Sequence, residues 1–178
     1  MQYLYHRRSP DFRGTTIYPL NVLRAKFPDL HETEVSKYAG REQITEESVP
    51  ILDVLWNDVV HSAPIDPRLI YQALRDLGGS PEPQEYFKIP VSRITGLRAV
   101  WFDPQNERYP FPARSEDVRL IVPDTFEQLS AVPERTLGYY RACLRKGQQP
   151  PLLFLYVPHV LIHGAIDVTD VDVIDWSS

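Results

Sequence analysis

Only one cysteine, Cys143, occurs in the 178 residues, so the chain forms neither an internal disulfide nor a thiolate zinc cluster. The simplest expectation is a reducing compartment. Long apolar runs are also missing. The longest stretch, 150–162, holds three prolines and a histidine and falls short of the ~20 residues a membrane span requires. The opening MQYLYHRRSPDFRG has no central apolar run and no small-residue cleavage site, so no secretory signal is expected. A cytoplasmic protein without a membrane partner is the resulting expectation. The glycine patterns GxGxxG and GxxxxGK[ST] are absent, as are GxSxG, HExxH, CxxC and PCxxC. These absences remove the usual signatures of dinucleotide folds, P-loop enzymes, α/β-hydrolases, common zinc sites and zinc deaminases. Positive charge is in deficit, with 19 Lys and Arg against 24 Asp and Glu and a net charge of −5. Broad duplex binding needs many phosphate-neutralising cations, and this balance disfavours it.

What is present describes a folded chain. Hydrophobic residues make up 43% and aromatics 11%, whereas disorder requires few aromatics and a large net charge. The length fits one domain, and surface scaling predicts about 8,900 Å² exposed after folding. Charge is unevenly distributed. Residues 1–26 carry Arg7, Arg8, Arg13, Arg24 and Lys26 against Asp11 alone, whereas the chain after Lys146 has four aspartates and no Lys or Arg. Either the two ends neighbour and neutralise each other, or His6, Arg7 and Arg8 border a phosphate pocket.

The 17 prolines are scattered and punctuate many short elements. QYLYH alternates as a strand does. A helix is expected over 29–39, capped by Asp29 and stopped by Gly40. The clearest helix is 67–77, with Asp66 as cap, Pro67 in the first turn and an apolar stripe of Leu69, Ile70, Ala73, Leu74 and Leu77. Strands are expected in YFKI, LRAVWF, VRLIV, LLFLYV, HVLI, GAIDV and VDVI, the last with Val171 and Val173 inward. Thr125 and Gln128 have capping-box spacing and predict a helix start, and a second helix runs from Pro133 to Lys146. Residues 103–117, with three prolines and six charges, read as an exposed loop. Trp101, Tyr109 and Phe111 beside it either form an interface or pack the loop down. This order of elements predicts an α+β single domain with a mixed or mainly antiparallel sheet.

Chemistry must come from dispersed residues. Trp56, Asn57, Asp58 and His61 are embedded among Val54, Leu55, Val59 and Val60. These polar groups either satisfy neighbouring turns or line a pocket in which His61 is an acid or base near neutral pH. In KYAGRE, Arg41 follows a glycine stop and either caps the helix or holds a phosphate bidentately. His159 and His163 on one strand are separated by roughly 13 Å, too far to share a zinc ion. His31 and Glu34 share a helix face and need further ligands to hold a metal. No metal is expected.

YLYHRR, with His6 on an aromatic first strand, a following short helix and the turn into IYPLNVL, resembles the opening of the ADP-ribosyltransferase-like superfamily. That superfamily includes nucleic-acid-modifying ADP-ribosyltransferase toxins and RNA 2′-phosphotransferases. The closing LLFLYVPHVLIHGAIDVTDVDVI resembles its final strand pair. The resemblance implies NAD⁺ as donor, His6 on its ribose, Arg7 and Arg41 on its diphosphate, and a nucleic acid or a protein as acceptor. The late-strand glutamate of many members has no counterpart, because LLFLYV contains no acid; Glu107, Glu116 and Glu127 are the nearest candidates. Taken together, His6 and His61 are the candidate catalytic residues, and His6, Arg7, Tyr38, Arg41 and Asn57 the candidate NAD-binding residues. The rival expectation is a non-catalytic, immunity-type module whose acidic surface binds a basic protein.

Overall fold

Alternating large side chains in YLYHR form β1 (Tyr3–Arg7), which buries Leu4 and Tyr5 and leaves Arg7 exposed. The computed structural model describes residues 1–40, 42–103 and 114–178. After β1 come β2 (Thr16–Ile17), α1 (Leu20–Lys26), α2 (Pro28–Val35), β3 (Ser48–Val49), β4 (Val54–Leu55) and β5 (Val59–Ser62). The middle of the chain supplies α3 (Pro67–Asp76), β6 (Glu85–Pro90), β7 (Arg98–Phe102) and β8 (Val118–Leu120). α4 (Glu134–Arg145), β9 (His159–His163), β10 (Ile166–Asp167) and β11 (Asp172–Asp175) complete it.

The strands form an antiparallel three-stranded sheet, β1-β6-β11, and an antiparallel four-stranded sheet, β5-β9-β7-β8, with two-stranded ribbons β2-β10 and β3-β4. The fold is the expected α+β domain. Tyr5 and Ala63 exchange backbone hydrogen bonds of 2.9 and 2.8 Å, so the end of β5 abuts β1 and the two larger sheets meet along a seam. Leu4, Ile89 and Ile162 are fully buried in one cluster at that seam, while Ile70, Leu74, Tyr140 and Trp176 anchor a second under the helices. The total accessible surface is 9702 Å².

α3 forms as its sequence dictates. Asp66 accepts from the Arg68 amide at 3.0 Å, Pro67 begins the helix, and Gly78 follows it at φ 84°. Ile70 and Leu74 are buried, whereas Leu69 faces outward and is 37% exposed. α4 also lies where expected. α2 starts one residue earlier than expected, with Pro28 in its first turn, and ends at Val35 in a 3-10 turn, Ser36–Tyr38. Asp29 ion-pairs with Arg13 instead of capping.

Several expectations are corrected. No helix lies between β1 and β2; α1 begins later, inside PLNVLRAK. Thr125 starts no helix, because the Gln128 side chain accepts from the Tyr3 amide at 3.0 Å while its own amide donates to Gln2, also at 3.0 Å. LLFLYV is a series of turns. Thr136 Oγ1 donates to the Leu155 carbonyl at 2.9 Å and the Tyr140 hydroxyl donates to that of Leu153, so acceptors a strand would need are occupied by α4. Val173 is 43% exposed on an edge strand and Ile174 packs inward in its place. Leu55 is exposed, and Trp101 is buried beneath Arg119, whose guanidinium lies 4.9 Å from the ring centre. Within 103–117, Asp117 is buried and its carbonyl accepts from Asp103 at 2.9 Å. Glu107, Tyr109 and Phe111 lie outside the described residues.

The two ends neighbour each other, with no ion pair between their charged residues among the described residues. β1 and β11 flank β6 on opposite sides, and Arg7, Arg8, Glu85 and Asp175 border one recess. Arg8 ion-pairs with Glu85.

Candidate functional site

The Tyr5–Ala63 bridge places His6 beside His61. His6 Nδ1 lies 2.7 Å from the His61 carbonyl oxygen. A carbonyl only accepts, so Nδ1 carries the hydrogen and Nε2 the lone pair. No described residue bonds Nε2. Burial lowers the His6 pKa, and Lys37 acts in the same direction against the opposing pull of the His61 carbonyl and of Glu34. His6 is therefore a neutral ring held in one tautomer.

His61 in turn donates from Nε2 to the Trp56 carbonyl at 3.1 Å, with its ring centre 4.4 Å from that of Trp56. Burial pushes its pKa down to about 3, and His159 adds to the effect. This removes the near-neutral titration expected of His61. What it supplies is the carbonyl that orients His6, which makes it a positioning residue.

Around this pair lies a cavity of about 320 Å³, within the range of small-molecule sites, roughly 300–1,000 Å³. Its floor is His6, Arg7, Val59, Val60 and His61, and one side is Ile17 and Tyr18. The opposite wall is a stripe: Leu20 and Leu23 of α1, Phe27, Leu30 and Glu34 of α2, then Lys37 and Tyr38. From Leu20 to Lys37 the stripe residues recur every three or four positions, the period of one helix face. The pattern was present in the sequence but is split between two helices by Pro28.

Glu34 is the acid in that apolar stripe. One of its oxygens, Oε2, pairs with Lys37, and the other, Oε1, is buried without a hydrogen-bond partner. At the rim, Arg7 is exposed and has no ion-pair partner among the described residues, while Arg13 pairs with Asp29.

Of the residues singled out from the sequence, His6, Arg7, Tyr38 and His61 thus line one cavity. Asn57 is not in its lining; it is 8% exposed, with Oδ1 unpartnered. Arg41 lies outside the described residues. His159 and His163 sit at opposite ends of β9, and His159 Nδ1 is buried without a partner. Among the described residues no group of three or more His, Cys, Asp or Glu side chains is placed to hold a metal ion, and no helix is long and apolar enough to cross a membrane.

Comparison with models of known protein families, with curated proteins and with solved structures finds no match.

Proposed function

We propose that the cavity binds NAD⁺ and that the protein is an ADP-ribosyltransferase-like enzyme acting on a nucleic acid or a protein. The observation that carries this reading is the convergence of His6, Arg7, Tyr38 and His61, from three separate segments, on one largely apolar cavity. The cavity suits a ligand with an aromatic end and an anionic end. Phe12, Tyr18, Phe27 and Tyr38 offer ring surface inside, and Arg7 stands at the rim where a diphosphate would lie.

In the proposed reaction the bond between nicotinamide and ribose breaks, its electron pair leaves with the nicotinamide nitrogen, and positive charge develops on the ribose. The acceptor's oxygen or nitrogen bonds to that carbon and loses a proton. Neutral His6, its Nδ1–H held by the His61 carbonyl, presents Nε2 as the base to take it. The pocket contributes orientation and field. The tail aspartates, which motivated the rival binding-module reading, are partly engaged within the chain. Asp167 pairs with Arg93 at 3.4 Å, and Asp175 accepts from the Ser177 amide at 2.7 Å and hydroxyl at 2.6 Å.

The test is incubation of the protein with adenylate-labelled NAD⁺ and cell lysate, with His6→Ala in parallel, followed by nuclease or protease digestion. Label that requires His6, and that one of the digestions releases, is the expected result. Absence of label, or equal label from His6→Ala, overturns the reading. A stable complex with a basic protein, indifferent to NAD⁺, would replace it.

A further inference from the structure

The cavity contains two unused acceptors in a lining that is largely apolar. His6 Nε2 holds a lone pair because Nδ1–H is committed to the His61 carbonyl at 2.7 Å. Glu34 belongs to the wall, and its Oε1 is buried with no partner while Oε2 is paired with Lys37. Buried polar atoms are nearly always hydrogen-bonded, and an orphaned carboxylate oxygen is among the costlier exceptions. A ligand supplying N–H donors and positive charge would meet both needs.

The ring surface supports the same chemistry. Phe12, Phe27 and Tyr38 line the cavity, and aromatic faces attract cations. Tyr18 already shows this: Lys26 Nζ lies 5.1 Å from its ring centre. Of the positively charged groups of the wall, Arg13 pairs with Asp29, Lys37 pairs with Glu34, and Arg7 is exposed.

Resting on the reading of this cavity as the NAD⁺ site, we infer that Glu34 and His6 form a subsite for a flat aromatic cation bearing an amide N–H, with Glu34 responsible for preferring the charged ring over its neutral counterpart. The nicotinamide end of the oxidised dinucleotide is such a group. Glu34 binds and orients it; His6 accepts from the amide until the acceptor substrate arrives.

The probes are N1-methylnicotinamide, a cation, and nicotinamide, neutral with the same carboxamide, each titrated calorimetrically into the intact chain. One charge-assisted contact should favour the cation by about tenfold. Glu34→Gln should bring the two affinities together while leaving that for nicotinamide in place. Lys37→Gln removes the competing cation and should widen the preference, which keeps the inference falsifiable if Glu34→Gln does not fold. Equal affinities in the unmodified protein, binding of neither probe, or a preference indifferent to both substitutions overturns the subsite. The labelled-NAD⁺ experiment then judges the enzyme reading separately: transfer with equal affinity for NAD⁺ and NADH would retain the enzyme and discard the Glu34 role.

Discussion

Lowering the pH from about 7 to about 5 should weaken the fold through its buried histidines, before its carboxylates protonate. The pKa of His61 is pushed down to about 3 and that of His159 to about 4, both chiefly by burial. In the unfolded chain a histidine titrates near 6.5. Between those values the unfolded chain binds the extra protons, so stability falls as pH decreases from about 6.5 and the loss is complete only below the folded pKa values. At about pH 5 each such histidine contributes a loss of about 2 kcal/mol. Both residues are only part-buried, so about 4 kcal/mol is the ceiling and about half of that the expected loss. His6, also lowered by burial, acts in the same direction. The carboxylates held low in the fold, Asp29 by Arg13 and Asp167 by Thr169, titrate in the unfolded chain near 3.9 and contribute below this window. Urea unfolding followed by tryptophan fluorescence at the two pH values measures the difference. His159→Phe should reduce the pH dependence by about 1–2 kcal/mol. Equal unfolding free energies at the two pH values in the unmodified protein would refute the reasoning.

Two further substitutions test the packing. Tyr140→Phe removes the hydroxyl that serves the Leu153 carbonyl, and leaving that acceptor unsatisfied should cost about 1–3 kcal/mol in urea unfolding, with faster proteolysis in 150–157. Asp66→Ala removes the acceptor for the Arg68 amide at the start of α3, and a loss of about 0.5–2 kcal/mol is expected by thermal or chemical denaturation.

Short-range chemistry was legible in the chain. The alternation of YLYHR, the Asp66-Pro67 start of α3, the span of α4 and the strand HVLI all depend on residues within one element. Each appears close to where its pattern places it. The failures share a cause. Thr125 and Gln128 have the spacing of a capping box, yet Gln128 serves the Tyr3 amide, 125 positions away. LLFLYV has strand composition, yet its carbonyls are taken by Thr136 and Tyr140 of α4. Local propensity is worth tenths of a kcal/mol per residue, and a buried long-range hydrogen bond outweighs it.

The site divides in the same way. His6 and Arg7 could be named from the basic, aromatic first strand, His61 as a polar residue in an apolar run, and Tyr38 from its place beside the Gly40 stop. Glu34 was visible as a helix-face residue but not as part of a cavity, since its neighbours are supplied by α1 and β1. The sequence by itself determined the α+β class, the net charge, the exclusion of an internal disulfide and the main local elements. Only the tertiary structure decided that β1 abuts β5, because that contact depends on a backbone exchange between Tyr5 and Ala63, which side-chain identity does not encode. From that exchange follow the pinned tautomer of His6 and the cavity that His6 and His61 share with Glu34, while burial keeps His61 neutral.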